Sequence, residues 1–237
     1  MPAADQLTAL LAPMVERHQK LVRGEAEPET DVRAQPLVLR LEKADPPTHT
    51  DALTAAARAV IRLLADPRAN EEWHEEVSAW IGNRIRKVVR RARGAHWRAA
   101  EDLPGVTVKV GSAEVRAFPP GLVTELPKEL SRLQVSGIEL EDEPREPTEG
   151  PTLWLTPEAT MTTGKAMAQV GHAVMLLAAY AQPAWLTTWT EQDFPLNVRK
   201  ATKREWVDLT ADDDAVAVRD AGFTEVEPGT ITVLAKP

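Results

Sequence analysis

The sequence has no cysteine among its 237 residues. Disulfides, thiolate nucleophiles, zinc ribbons and iron–sulfur clusters are therefore excluded. Serine is scarce as well, and none of the four serines stands in the Gly-x-Ser-x-Gly elbow that presents a nucleophilic serine. A serine triad is not expected.

Long apolar runs and a leader sequence are also missing. The most apolar segment, residues 173–181, is far too short to cross a bilayer. The N-terminus carries Asp5 and lacks both a basic region and an uninterrupted apolar stretch, so no secretory signal is expected. We expect a cytoplasmic protein without membrane partners.

Metal and nucleotide sites have little support in the sequence. The five histidines are scattered, and none forms the i, i+4 pair of a zinc helix. Residues 162–165 are similar to part of a phosphate-binding loop, but Ala159 stands where its first glycine is needed and Ala166 where Ser or Thr is needed. We expect no metal, no cofactor and no nucleotide hydrolase.

Two parts of the chain repeat each other. Trp80 and Trp97 are 17 residues apart, and so are Trp189 and Trp206. This matched spacing predicts an internal duplication, in which the tryptophans are core anchors rather than base-stacking platforms. The alternative is a single mixed domain with accidental tryptophan spacing.

Shorter matches extend the repeat. The stretch Val-Arg-Arg-Ala at 89–92 matches Val-Arg-Lys-Ala at 198–201, and the segment beginning at Pro36 resembles the one beginning at Pro151. Each half is predicted to contain a strand, a long apolar helix, a tryptophan-bearing segment, a basic strand, a short helix or turn, and two short strands. We expect an α/β fold with a mixed β-sheet flanked by helices, in which two related halves form a fused pseudo-dimer.

Polar stretches divide the chain. Apolar residues at helical spacing predict an amphipathic helix over 5–23, which the Glu- and Pro-rich residues 24–30 end. Residues 139–149 include six acids and two prolines, a composition typical of a solvated linker. The predicted units are an N-terminal helix and linker at 1–30, a first half at 36–138, an acidic linker at 139–150 and a second half at 151–237.

The chain is acidic overall but carries local basic stretches. Its 28 basic and 36 acidic residues give a net charge of -8, which argues against a generally cationic nucleic-acid coat protein. Residues 84–98 nevertheless contain seven basic residues and no acid, and a basic stretch follows in the matching part of the second half. These stretches predict a phosphate-binding face; the alternative is that they only solubilise the surface. The candidate substrate-binding residues are Arg90, Arg91, Arg199, Lys200 and Lys203.

The helix predicted in the second half carries a polar stripe on an otherwise apolar surface. Lys165, Gln169 and His172 stand at i, i+4 and i+7, on one face. Thr162 is a plausible N-cap, yet Lys165 stands where a capping box would place Glu or Gln. Lys165 and the backbone N–H groups beside Gly164 would make a pocket for a phosphate or a developing oxyanion. The alternative is an exposed lysine with Gln169 and His172 as satisfied core groups.

A second cluster follows the predicted strand at 216–218. Asp220 lies at the carboxyl end of this strand beside Gly222, with Thr224 just beyond. Ligands bind at that edge of open α/β sheets, although a turn-capping aspartate is an equal alternative. The first half has lost the polar stripe, because Asp51, Ala55 and Arg58 stand at the matching positions.

These residues resemble a known family. Residues 161–173 are similar to the helix motif of the type-two peptidyl-tRNA hydrolases, and residues 219–230, Arg-Asp-Ala-Gly-Phe-Thr-Glu-Val-Glu-Pro-Gly-Thr, are similar to its closing motif. The resemblance covers 151–237, with a degenerate echo over 36–121. It implies a compact α/β fold and metal-independent hydrolysis of the ester that joins a peptide to the terminal ribose of tRNA. Two departures are Phe223, where the family has a basic residue, and a shorter helix before the third strand.

The resemblance also implies roles for individual residues. Lys165 and Asp220 would form the catalytic centre, with Thr224 as a hydroxyl partner. The supporting residues would be Thr163, Gly164, Gln169 and His172. Which group acts as general base stays open.

The leading hypothesis is a peptidyl-tRNA hydrolase with an active second half, whose partner is peptidyl-tRNA; a homo-oligomer is allowed but not required. One alternative is a non-catalytic member of the fold that binds tRNA or a protein. A weaker alternative is an esterase or amidase that acts on another small acyl substrate.

Overall fold

The computed structural model describes residues 3–22, 31–143, 145–222 and 225–237. It opens with the expected amphipathic helix, α1 (Ala3–Val22), whose buried face includes Leu7, Leu11 and Met14. The predicted helix-ending segment at 24–30 lies outside the described residues. None of the helices in the described ranges is both long and apolar enough to cross a membrane.

The first half follows the predicted order of elements. Its helices and strands are β1 (Arg33–Arg40), α2 (His49–Ala65), α3 (His74–Ile81), β2 (Lys87–Ala92), α4 (Gly94–Glu101), β3 (Val106–Val110), β4 (Ala113–Ala117), β5 (Gly121–Leu122) and α5 (Lys128–Ser131). Single 3-10 turns occur at Pro67–Asn70 and Val123–Glu125.

The second half repeats that order without the additions after β4. Its elements are β6 (Thr152–Leu155), α6 (Thr163–Tyr180), α7 (Pro183–Glu191), β7 (Asn197–Lys200), α8 (Lys203–Thr210), β8 (Val216–Arg219) and β9 (Ile231–Lys236).

The two halves also share one sheet topology. The strand order is β2-β1-β4-β3 in the first sheet, where β5 also pairs with β1, and β7-β6-β9-β8 in the second. The first strand of each half is parallel to the strand that follows its helices, and the remaining pairs are antiparallel. The mixed α/β fold and the two related halves are thus confirmed.

The strand register corrects one detail of the repeat. Leu37 pairs with Val89, and Leu153 pairs with Val198. Leu37 therefore corresponds to Leu153, and the sequence match that began at Pro36 and Pro151 is wrong by one residue. A slip of one residue would exchange the two faces of a strand, and both leucines are fully buried.

Helices α2 and α6 pack against each other at the centre of the molecule. Each has a threonine N-cap, Thr48 or Thr162, whose hydroxyl accepts a hydrogen bond from the backbone N–H three residues on. The next residues, His49 and Thr163, contact each other, with 3.0 Å between Nδ1 and Oγ1. Contact between equivalent positions is the mark of a two-fold interface, here within one chain.

One hydrophobic core joins the halves. A single cluster of buried residues includes Leu7 and Leu11 of α1, Val60 of α2, and Val170 and Val174 of α6. This cluster explains why α6 is apolar almost all round, since α1, α2 and its own sheet each cover part of its surface.

The four matched tryptophans are buried, as predicted. Their anchoring is duplicated as well: the indole N–H of Trp80 donates to the carbonyl of Arg86 at 3.0 Å, and that of Trp189 donates to the carbonyl of Pro195 at 2.7 Å. Trp80 and Trp189 therefore fix the start of the basic strand that follows each of them.

Residues 139–143 and 145–150 contain no helix or strand. The backbone carbonyl of Glu141 accepts the His49 N–H at 2.7 Å, and Arg145 pairs with Asp51 at 2.8 Å. The predicted linker thus lies against the start of α2.

Candidate active site

The start of α6 is capped from a distant part of the chain. The hydroxyl of Thr162 accepts the Lys165 N–H at 3.3 Å, while the backbone N–H and the hydroxyl of Thr162 donate to the carboxylate of Glu225 at 2.7 and 2.8 Å. In a capping box the carboxylate comes from the third helical residue, as Glu205 shows at Thr202 in α8. Glu225 takes that role at α6, so the third helical position is available for a lysine.

Lys165 and Asp220 meet at the predicted place. The Lys165 Nζ lies 2.5 Å from Asp220 Oδ2, and the two side chains are 13% and 7% exposed. The Gln169 amide nitrogen donates to the same oxygen at 2.6 Å, and the Gly222 N–H donates to Oδ1 at 2.8 Å. Asp220 is thus held by three donors, two of them from the polar stripe of α6.

Strand β9 fixes the orientation of Gln169. The hydroxyl of Thr232, which is fully buried, donates to the Gln169 side-chain oxygen at 2.7 Å. The amide nitrogen of Gln169 must then face Asp220. Thr232 was missed in the sequence, although it stands in the strand that closes the second motif.

A local irregularity directs Asp220 toward α6. The ladder between β8 and β9 shifts register between Val218 and Arg219, and such bulges change the direction of the next side chains. The backbone of Asp220 is then fixed on both sides, because its N–H donates to the Thr230 carbonyl at 2.9 Å and its carbonyl accepts the Gly229 N–H at 2.7 Å.

The Lys165–Asp220 pair opens into a cavity of about 760 Å³. Its walls come from three parts of the chain: α1, the entry to β2 in the first half, and α6 with the end of β8 in the second half. The first half therefore supplies part of the cavity lining, through residues 84–89 of the predicted basic stretch, although the candidates Arg90 and Arg91 are not among them.

The cavity is basic although the protein is acidic. Asp220 and Glu225 are its two acidic lining residues. Six lysines and arginines face them: Arg17, Arg84, Arg86, Lys87, Lys165 and Arg219. A positive cavity in an acidic protein favours an anionic ligand.

The far end of the cavity, away from Asp220, contains two histidines. Burial, together with the positive charges of Lys87 and Arg17, holds the pKa of His172 well below its usual value. Burial also lowers the pKa of His18, whose Nδ1 lies 2.9 Å from the Tyr180 hydroxyl. Both imidazoles are therefore neutral at pH 7, and His172 lies apart from the Asp220 network.

The other predicted site residues fall into two groups. Gly164 lines the cavity, whereas the hydroxyl of Thr163 contacts His49 at the helix interface. Thr224 and Phe223 lie outside the described residues, so the proposed hydroxyl partner stays a prediction.

The five candidate substrate-binding residues do not line the cavity. Arg90 donates to the Leu133 carbonyl at 2.8 Å and Arg91 to the Ser136 carbonyl at 2.9 Å, so both hold the segment after α5. Arg199 forks onto Glu205 and, with the Thr202 N–H, lowers the pKa of that carboxylate to about 2.

Lys200 and Lys203 are exposed on the outside of the second half. Among the described residues, no three histidine, aspartate or glutamate side chains are grouped so that they could hold a metal ion.

The fold and the site define an α/β protein with a mixed sheet and a buried lysine–carboxylate pair that faces a basic cavity. The family model "Peptidyl-tRNA hydrolase PTH2" matches residues 153–237. Two relatives named peptidyl-tRNA hydrolase, from Thermococcus sibiricus and Thermococcus onnurineus, are each 36% identical over 84 residues, 32% of this chain and 71% of the relative. The chain belongs to the PTH2 peptidyl-tRNA hydrolase family, as the resemblance over 151–237 predicted.

Proposed function

We propose that the protein hydrolyses the ester between a peptide and the terminal ribose of tRNA, and that the second half carries out the reaction without a metal. The observation that carries this proposal is the Lys165–Asp220 pair, 2.5 Å apart and facing a basic cavity. Family membership supports the same activity.

Lys165 supplies the electrostatic part of the reaction. Water adds to the ester carbonyl carbon, and the carbonyl oxygen gains negative charge. An ammonium group that is already in place stabilises this oxyanion without reorganisation of solvent. When the adduct collapses, the bond between the carbonyl carbon and the ribose oxygen breaks, and the ribose oxygen takes up a proton that replaces the one the attacking water gave up.

Asp220 positions Lys165. Its carboxylate holds the ammonium while Gln169 and the Gly222 N–H occupy further lone pairs. Because three donors fix this carboxylate in place, its main effect is to hold the Lys165 side chain in one orientation. Thr224 follows Asp220 by four residues, and the closing motif implies that its hydroxyl positions the water.

The division of labour between the halves is also part of the proposal. Residues 151–237 form the catalytic half, and residues 36–138 form a degenerate half that packs on α6 and lines one wall of the cavity. The helix and linker at 1–30 add a second wall through α1, and residues 139–150 connect the halves.

The test is turnover of peptidyl-tRNA by the full chain, with and without a chelator. Lys165→Ala and Asp220→Asn should each lower kcat, the first by about 10²- to 10³-fold, the usual effect of removing one oxyanion donor. The matched control is the surface pair Lys236–Asp212, which has the same 2.5 Å separation. Lys236→Ala and Asp212→Asn should leave kcat within about twofold of wild type, since surface pairs contribute little.

Full activity in Lys165→Ala would overturn the site assignment. Salt-sensitive tRNA binding without ester cleavage would favour a non-catalytic binding protein instead. Cleavage of non-tRNA esters that does not respond to salt would favour a general esterase, because phosphate contacts make binding salt-dependent.

A further inference from the structure

The duplication provides two equivalent interfaces between the halves, and they differ in charge. In the first, Arg58 and Arg62 of α2 meet the Asp193 carboxylate of the second half at 2.9 and 2.7 Å. Asp193 is the fourth residue after Trp189, so its counterpart is Arg84, the fourth residue after Trp80. Position 58 corresponds to His172. At the first interface Asp193 balances the positive charge of Arg58. At the second interface the equivalent positions are Arg84 and His172, so an arginine replaces the acid.

Lys87 lies at this second interface. Its ammonium is buried, lines the cavity, and has no hydrogen-bond acceptor within the described part of the chain. The ammonium lies over the face of Trp80, with Nζ 5.0 Å from the ring centroid. Burial and the nearby charge of Arg17 hold the pKa of Lys87 well below its usual value. A buried ammonium without an acceptor is costly, and an anionic ligand would remove that cost.

His172 faces the same end of the cavity. Its electrostatic neighbours are Lys87, Arg17 and His18. A neutral imidazole can donate one hydrogen bond to an oxygen anion, beside the ammonium of Lys87.

We propose that Lys87 and His172 form a phosphate subsite, which binds a backbone phosphate of the tRNA acceptor strand while the ester lies at Lys165. This subsite rests on the proposed function for its substrate. In peptidyl-tRNA the peptide carboxyl is consumed in the ester, so the phosphates are the anions that every such substrate carries near the scissile bond. His172 follows Lys165 by seven helical residues, which places the subsite about 10 Å along α6 from the reacting ester.

The subsite also gives the degenerate half a share in binding. Lys87 belongs to β2, which the Trp80 indole anchors through the neighbouring Arg86 carbonyl at 3.0 Å. The first half would then position the tRNA end through one lysine while contributing nothing to the bond-breaking step.

The test compares wild type with Lys87→Met, which removes the ammonium and keeps an unbranched apolar side chain of similar volume. The probe is a short single-stranded RNA with the tRNA acceptor sequence and a free 3′ end, whose binding requires no ester cleavage. Lys87→Met should bind this RNA about tenfold more weakly, as loss of a hydrogen bond to a charged group implies, with a shallower salt dependence. KM for peptidyl-tRNA should rise with little change in kcat, because the lost contact is made equally before and during reaction.

The matched control is Lys109→Met, a lysine of the first half whose side chain is 71% exposed. It should bind the RNA like wild type. A series of RNAs in which one phosphate at a time is replaced by a neutral methylphosphonate identifies the contact. One position should weaken wild type about tenfold and leave Lys87→Met unaffected, the signature of a direct pair.

Equal RNA affinity of wild type and Lys87→Met would overturn the subsite. The subsite would also be overturned if every methylphosphonate in the series weakened RNA binding by wild type equally. The measurements on wild type test the subsite even if the variant folds poorly. If no single methylphosphonate position weakens RNA binding by wild type, the subsite is also refuted. If wild type shows the sensitive position but does not cleave peptidyl-tRNA, the subsite stands and the proposed hydrolase activity fails.

Discussion

The two halves share a fold but treat the same position in opposite ways. In the second half, the third residue of the long helix is Lys165, which faces an open cavity. In the first half it is Asp51, which accepts hydrogen bonds from the Ser112 N–H at 2.8 Å and hydroxyl at 2.9 Å and pairs with Arg145 at 2.8 Å. Although burial alone would raise the pKa of Asp51, these partners hold it below its usual value.

The connection between β3 and β4, compared with that between β8 and β9, explains this difference. Strands β3 and β4 are joined by Gly111 and Ser112 alone, whereas residues 220–230 connect β8 and β9. The short turn closes on the helix start: a Cβ on Gly111 would lie 2.2 Å from Asp51 Oδ2. The long connection instead brings Asp220 and Glu225 to α6. Within one chain, the fold persists while the loop decides whether a site exists.

The largest effect is expected when the second half is made to resemble the first. Lys165→Asp places two carboxylates together where Asp220 is 7% exposed. The protein should lose at least about 10³-fold in kcat, and breaking a buried pair should cost about 3–5 kcal/mol of unfolding free energy. Peptidyl-tRNA turnover and urea unfolding measure the two losses.

Asp212→Lys, which places a second cation beside Lys236 on the surface, is the control and should change neither quantity by much. Retained turnover in Lys165→Asp would show that the residue at this helical position does not account for the difference between the halves.

Thr232→Val should have the next largest effect. It removes the hydroxyl that orients Gln169, so the amide can rotate away from Asp220. We expect kcat to fall about tenfold, because Lys165 is then less well positioned, while KM changes little. Thr232→Ser restores the hydroxyl and should recover most of kcat. If Thr232→Val lowers stability but leaves kcat unchanged, Thr232 contributes to packing and does not position the catalytic residues.

The first half should respond in stability alone. Asp51→Ala leaves Ser112 and Arg145 without their acceptor and removes a helix-capping charge, a loss of about 1–3 kcal/mol in unfolding free energy. Because Asp51 is absent from the cavity lining, kcat and KM should stay within about twofold of wild type. Urea unfolding and turnover on the same preparation separate these outcomes. A fall in kcat at full stability would show that the first half takes part in the chemistry.

The unequal interfaces should also appear in the pH dependence of stability. The pKa of Lys87 is lowered in the folded state, so below its ordinary value of 10.5 the unfolded chain binds a proton that the folded chain resists. Stability therefore rises with pH toward 10.5, by at most about 1.4 kcal/mol per pH unit from this group. Lys87→Met should be more stable than wild type at pH 7, and the difference should shrink at pH 9 and 10. Urea unfolding across that range, with exposed Lys109→Met as control, measures the change.

Local patterns in the sequence predicted most of the fold and the centre of the site. The helical spacing of Lys165, Gln169 and His172 and the strand end at Asp220 are short-range signals, and the matched tryptophans predicted the two related halves. The register of β1 was missed by one residue, because an almost wholly apolar strand, such as 37–39, matches its copy nearly as well after a slip.

The remaining parts of the site depend on tertiary placement. Nothing local indicates that Glu225 binds a helix N-cap 63 residues earlier, or that Thr232 orients Gln169. In the sequence, Lys87 could be recognised only as one member of the basic stretch at 84–98, not as part of a cavity wall. Its position against α6 follows from the two-fold packing of α2 on α6, which no segment specifies alone.

The smallest effect is expected for the exposed cations of the second half. Lys200 and Lys203 lie outside the cavity, so they can act only on a part of tRNA that is distant from the ester. Lys200→Ala with Lys203→Ala should raise KM about two- to fivefold at low salt and leave kcat unchanged. The effect should fade above about 0.2 M salt, since exposed charges are screened there.

The matched control is Arg90→Ala with Arg91→Ala. Because these guanidinium groups bind the carbonyls of Leu133 and Ser136, their loss should lower stability more than it raises KM. A larger rise in KM for the arginine pair would place the proposed tRNA-binding face on the first half instead of the second.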